Sequence, residues 1–166
     1  MSILTRCTLL MTLLSFVLCL ASTAMAGSRT FYENGNLKSE MVAEPGQKPV
    51  LKSYQENGKL LSETVYNGSQ PEAARWYDEN GVLQSSEIFA DAKTRVVTFY
   101  NPLGQKLTEE TRVDGKAVKG RTFYPNGNVE KEYAFDQNGK LDGKFIMYYE
   151  NGKVQGEYEY KNGEQL

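Results

Sequence analysis

Gly35, Gly58, Gly81, Gly104 and Gly127 stand 23 residues apart, and Gly152 follows 25 residues later. Their contexts are Tyr32-Glu-Asn-Gly35, Gln55-Glu-Asn-Gly58, Asp78-Glu-Asn-Gly81, Asn101-Pro-Leu-Gly104, Tyr124-Pro-Asn-Gly127 and Tyr149-Glu-Asn-Gly152. Counted from each of these main glycines, position −4 is always aromatic: Phe31, Tyr54, Tyr77, Tyr100, Phe123 and Tyr148. A fixed period of this length marks a repeat architecture. A second punctuation falls between successive glycines, at Pro45-Gly46, Asn67-Gly68, Asp91-Ala92, Asp114-Gly115, Asn138-Gly139 and Asn162-Gly163. The spans left over suit strands of about eight residues and are too short for ordinary helices. The spacing therefore predicts an all-β fold. It is an elongated, twisted antiparallel meander of about six two-stranded repeats, with about twelve strands and no long helix after residue 27.

The residues flanking the turns select the loop length. Position +2 holds Leu37, Leu60, Leu83, Lys106, Val129 and Val154, apolar in all but one. A three-residue x-Asn-Gly loop, a type I turn with its glycine left-handed, sets +2 opposite the aromatic at −4. Aromatic–aliphatic pairs across a ladder are stabilising, so this loop is expected. Position +5 holds Glu40, Glu63, Ser86, Glu109, Glu132 and Glu157. Simple alternation from +2 places these on the opposite, polar face as a solvated charged ladder, with Lys38, Lys59, Lys106, Lys131 and Lys153 interleaved to relieve repulsion. Positions −3 and −5 share that face and supply Tyr32, Trp76, Phe99, Tyr124, Met147 and Tyr149, a broken apolar line. Exposed aromatics in a patch mark interaction surfaces, so these six are the candidate partner-binding residues. The competing reading is that this face packs on itself or on a second copy.

Residues 1–26 follow another chemistry. Arg6 precedes the apolar run Cys7–Leu20, and Ala24-Met25-Ala26 ends in small residues at the cleavage positions. This reads as a secretory signal peptide cut after Ala26, leaving a repeat domain of residues 27–166 that is periplasmic or secreted and does not span the membrane. Cys7 and Cys19 leave with it, so the exported domain holds no disulfide. The chain has no histidine, which excludes Ser-His-Asp and Cys-His relays and His-ligated zinc. Its net charge of −2 argues against a nucleic-acid partner. Asp136–Asp142 lacks the glycine position and terminal glutamate of a calcium loop, and nothing places the adjacent pair Glu109-Glu110 in a pocket. No metal, cofactor or catalytic residue is expected.

The segment from Asn138 to Gly163 carries an aromatic pair (Tyr148-Tyr149), then Glu-Asn-Gly-Lys (150–153), then a second Asn-Gly at 162–163. It resembles the MORN-repeat variant family. The likeness covers 31–166 in register, strongest at 122–163 and weakest around 84–97. It implies a β-hairpin array that binds partners rather than catalysing, and many relatives are labelled antitoxin components. The expected function is thus a non-catalytic exported repeat module mediating protein–protein or envelope interaction, with an antitoxin- or immunity-like role implied by the resemblance. The alternative is an exported carbohydrate- or envelope-binding module that stacks exposed aromatics on sugars. Protein is the leading partner class, with glycan, lipid headgroup and a homo-oligomer left open.

Overall fold

The structure, a computed structural model, describes residues 27–166. The signal-peptide reading, its cleavage point and both cysteines lie outside the described residues. One antiparallel sheet contains β1 (Arg29–Phe31), β2 (Leu37–Val42), β3 (Val50–Tyr54), β4 (Leu60–Asn67), β5 (Gln70–Tyr77), β6 (Leu83–Phe89) and β7 (Thr94–Tyr100). It continues through β8 (Lys106–Val113), β9 (Lys116–Phe123), β10 (Val129–Ala134), β11 (Gly143–Tyr148), β12 (Val154–Lys161) and β13 (Glu164–Gln165). Every strand pairs with its neighbours in sequence, giving the expected meander. The thirteenth strand is two residues long and follows the Asn162-Gly163 turn.

The main turns are built as the glycine spacing implies. In the second repeat Gly58 N–H donates to the Gln55 carbonyl at 2.9 Å, and Gln55 N–H donates to the Lys59 carbonyl at 2.8 Å. The loop is therefore Glu56-Asn57-Gly58, with Gly58 at φ +83°, where a side chain is strained. Asn57 Oδ1 accepts the Lys59 N–H at 2.9 Å, and Asn34, Asn126 and Asn151 do the same two residues ahead of themselves. That bond is the reason for asparagine before the glycine. Position −4 faces +2 in every repeat: Phe31–Leu37, Tyr54–Leu60, Tyr77–Leu83, Tyr100–Lys106, Phe123–Val129 and Tyr148–Val154.

One step beyond that pair the register shifts. Ser53 faces Ser62, so Leu61 at +3 is an extra residue, and the same bulge recurs in all six hairpins. A bulge reverses the inside–outside phase of the rest of its strand. This corrects the expected faces. The glutamates at +5 lie on the same side as the aromatics, and both row and ring belong to what is here called the glutamate face. The residues that interleave with them are Arg29, Lys52, Arg75 and Arg121 at position −6, not the five lysines near the turns. Of those lysines, Lys106 reaches Glu109 at 3.6 Å and Lys131 turns to Glu130 at 3.1 Å.

The second turns vary. Asp114-Gly115 (φ 48° and 81°) and Asn162-Gly163 (φ 54° and 88°) are two-residue loops with both residues left-handed, the twist that suits tight hairpins. Asn67 instead pairs with Gln70, moving that loop one residue on to Gly68-Ser69. Burial is thin for a sheet with no second layer. Met41, Ala74 and Val97 are the buried apolar side chains, joined by Ser62 and Thr98. Cohesion therefore rests on the backbone ladder and cross-strand pairs.

Candidate interaction faces

The face opposite the glutamates carries a row at −5 and +4, composed mostly of serine and threonine. In its middle Ser62 faces Trp76, Trp76 faces Ser85 and Ser85 faces Phe99. Trp76 keeps 42% of its surface exposed, because its small hydroxyl neighbours give it nothing to pack under. Phe99 is half-buried two strands away. Met147 lies on β11, with Thr108, Thr122 and Lys131 standing between it and Phe99 in the same row.

The three tyrosines at −3 divide into two kinds. Tyr32 Oη donates to the Tyr54 carbonyl at 2.7 Å, and Tyr124 Oη donates to the Tyr148 carbonyl at 2.7 Å. Each therefore clasps the next repeat, as Gln55 does through Nε2 to the Asp78 carbonyl at 3.0 Å. Tyr149 occupies the same position in the last full hairpin and is 51% exposed. Of the six candidates, the structure thus sets Trp76 and Phe99 in one row with Ser85 between them. Met147 and Tyr149 lie at the C-terminal end, and the Tyr32 and Tyr124 hydroxyls are used in joining repeats.

The glutamate face holds an arrangement that simple alternation concealed. Tyr54 Oη donates to Glu40 at 2.8 Å, Tyr77 to Glu63 at 3.1 Å and Tyr148 to Glu132 at 2.9 Å. Where the acceptor is Ser86, its hydroxyl meets Tyr100 Oη at 3.0 Å. Where the aromatic is Phe123, which has no hydroxyl, Arg121 takes Glu109 instead at 2.6 Å. Glu40, Glu63, Glu109 and Glu132 are thus each engaged by the following repeat. The Tyr54 hydrogen bond, with help from Arg29 and Lys52, holds the Glu40 carboxyl below its ordinary range despite some desolvation. Burial, and then the carboxylate partner, push Tyr54 and Tyr77 above the usual tyrosine value. For Tyr148 the bond to Glu132 is the larger cause.

Alongside this charged row runs an aliphatic strip: Val42 faces Val50, then Val65, Ala73, Ile88 and Val96 follow strand by strand. Its first part floors a groove of about 270 Å³ walled by Lys52, Glu63 and Arg75. Towards the C-terminus the same positions become Thr111 and Lys119. There Thr111, Ala134 and Ile146 line a second groove of about 470 Å³ flanked by Lys119 and Lys144. These residues were missed because +7 falls beyond the bulge, so that simple alternation sets it on the face opposite its partner at −8. Their recurring small and β-branched side chains at 23-residue spacing were the available signal.

Two further expectations find their geometry here. Glu109 and Glu110 point to opposite faces, Glu109 to Arg121 at 2.6 Å and Glu110 to Arg112 at 2.7 Å. They share no proton and form no acid–base pair. Asp136 Oδ1 accepts the N–H groups of Asn138 and Lys140, and Asp142 meets Lys161 at 3.0 Å. That segment is a three-residue hairpin loop closed like the main turns.

A single-layer array of hairpins, each joined to the next by side chains one period apart, defines a β-repeat protein. The chain matches the MORN repeat variant family at residues 28–42, 50–67, 73–91, 119–137 and 141–162, and it belongs to that family. The stretch left unmatched holds β7 and β8, whose hairpin has the same register as the others. No curated protein matches the chain. Among solved structures it is similar to S. aureus TarM, once as a mutant in complex with Fondaparinux, alpha-GlcNAc-glycerol and UDP. That match has a TM-score of 0.48 at 16% identity over 62% of this chain and 21% of TarM. A second TarM structure gives 0.47 at 17% identity, over 62% and 20%. Accessory secretory protein 1, 2 and 3 of Streptococcus pneumoniae gives 0.25 at 14% identity, over 63% and 18%. The chain spans about a fifth of the length of these proteins.

Proposed function

We propose that this chain is a non-catalytic binding module that acts after export and holds a protein partner against the hydroxyl-bearing face of its sheet. The observation that carries the reading is Trp76, 42% exposed, standing between Ser62 and Ser85 in the row that also holds Phe99. A large rigid ring between small side chains is the type of anchor on which interface energy concentrates. The engagement of Glu40, Glu63, Glu109 and Glu132 by tyrosine or arginine supports a non-catalytic role, since those carboxylates serve cohesion. An immunity-like task outside the cytoplasm is one form such a module takes.

The test is affinity capture with the tagged protein from envelope extract of its own cells, followed by mass spectrometry, with Trp76→Ala and Tyr149→Ala as controls. One co-purifying protein, lost with Trp76→Ala while the variant's circular dichroism is unchanged, is the expected result. Undiminished capture by the variant removes Trp76 from the site, and recovery on insoluble wall or glycan replaces the protein partner with a sugar. An N-terminus at Gly27 on material from a secreting host is the expected sign of export.

A further inference from the structure

The junction between successive repeats has two chemical forms. In the tyrosine form, the hydroxyl at −4 donates to the glutamate of the preceding repeat, as Tyr54 does to Glu40. In the arginine form, seen between the fourth and fifth repeats, Phe123 cannot donate and Arg121 grips Glu109 through Nε at 2.9 Å and Nη2 at 2.6 Å. The backbone register there sets Thr108 opposite Thr122 and Glu109 opposite Arg121.

The two ends of the sheet carry the two halves of this arginine form. β1 has Arg29 at −6 and Phe31 at −4, the same pair in the same places as Arg121 and Phe123. All of β1 is exposed; Arg29 Nε holds Glu40 of its own hairpin at 3.1 Å, and 62% of the side chain remains open to solvent. β12 has Glu157 where β8 has Glu109. Among the described residues, the far side of β12 is paired by β13 at Tyr160 and Lys161 and by Leu166 at Glu159. The edge from Val154 to Tyr158 stands open, with Val154 at 51% and Tyr158 at 40% exposure. Tyr149 sits where Tyr32 and Tyr124 reach forward to the next repeat's carbonyl.

We propose that these edges are complementary and that copies of this chain associate head to tail, β1 of one copy extending the sheet beyond β12 of another. The register of the internal junction then sets Gly156 opposite Thr30 of the second copy and Glu157 opposite its Arg29. Tyr149 Oη meets the carbonyl of its Phe31, and the ladder stops where β13 begins. An unpaired strand edge is a template for such pairing. Because the two surfaces differ, the contact is heterologous and propagates rather than closing as a two-fold dimer.

Sedimentation velocity of the exported protein, beginning at Gly27, over a concentration series tests this. The weight-average mass is expected to rise with concentration. Glu157→Arg and Arg29→Glu, each alone, set like charges across the junction and are expected to weaken association about tenfold or more. An equimolar mixture of the two variants restores it, since both mixed junctions again oppose arginine to glutamate. The rescue also shows that both variants fold. A wild-type chain that stays monomeric at the highest attainable concentration overturns the proposal. So does association that ignores both reversals, or a mixture that behaves as the sum of its parts.

Discussion

The fourth and sixth repeats invert the relation between sequence pattern and burial. The fourth, β7 and β8, departs furthest: Asn101-Pro-Leu-Gly104 replaces Glu-Asn-Gly, Lys106 replaces the aliphatic residue, and the family match passes over it. Yet β7 contributes Val97 and Thr98, at 4% and 7% exposure, to the small buried set. The sixth, β11 and β12, has Glu150-Asn-Gly152, Val154 and Glu157 in full, and Val154 remains half exposed. The recurring residues therefore encode turn, bulge and register but not burial. Val97 is paired on both sides and Val154 lies on the open edge of β12, yet Ile88, also paired on both sides, is 62% exposed. The fourth loop shows how a turn forms without its asparagine. Asn101 Oδ1 accepts the N–H groups of Leu103 and Gln105 at 2.9 and 3.0 Å, taking over the task from the opposite end of the loop.

The comparison breaks if a charge is equally tolerated in both repeats. Val97 faces Glu87 and Glu110 across its two ladders, so Val97→Asp buries an unpaired charge between like charges and should cost more than about 3 kcal/mol. Val154→Asp, at an exposed site, should cost under about 1 kcal/mol. Equal urea midpoints for the two would refute the difference in burial. Next in size, Tyr77→Ala should cost about 2 kcal/mol, roughly half the value for a fully buried aromatic. Tyr77→Phe removes only the bond to Glu63, for about 1 kcal/mol, and urea melts separate packing from hydroxyl.

Turn glycines sharpen the contrast from the other side. Gly104 and Gly152 have φ of +77° and +80° with open space around them. Gly→Ala should cost about 1 kcal/mol at either position, because the strain is local. A marked difference in melting would mean that the turns depend on place in the array.

The smallest effect expected is that of pH. Tyr54 and Tyr77 have folded pKa values above their unfolded ones, so their contribution is complete below about pH 10 and is lost as pH rises through the raised values. Glu40 is depressed, so its contribution is lost as pH falls through its lowered value. Tyr54→Phe should flatten both limbs of the stability–pH curve, measured by urea melts across pH; unchanged limbs would show that the bond to Glu40 does not set them.

The period, the three-residue loops and the facing of −4 with +2 were legible because each rests on residue types that a turn requires. The bulge was not. Its extra residue is Lys38, Leu61, Gln84, Leu107, Glu130 or Gln155, with no chemistry in common, since its position follows from loop geometry rather than from side-chain demand. Everything placed by counting past it fell on the wrong face, the glutamates above all. The small neighbours of Trp76, Ser62 and Ser85, were hidden for the same reason, since +4 lies past the bulge and alternation sets it on the other face. The clasp by Tyr32 and Tyr124 was not legible either, because its acceptor is a carbonyl that every residue possesses.

Because each tyrosine at −4 serves the repeat before it, the bonds between neighbours are written across a boundary rather than inside a unit. Insertion or loss of 23 residues between Tyr54 and Tyr100 leaves every hydroxyl with an acceptor. A change of one residue in a strand turns its side chains to the other face and strands donor and acceptor on opposite sides. Turns absorb small changes, as the two extra residues before Gly152 show with Tyr148 still on Glu132. Strands are gained or lost only in whole hairpins, so the reach of the sheet is a quantity inherited in steps.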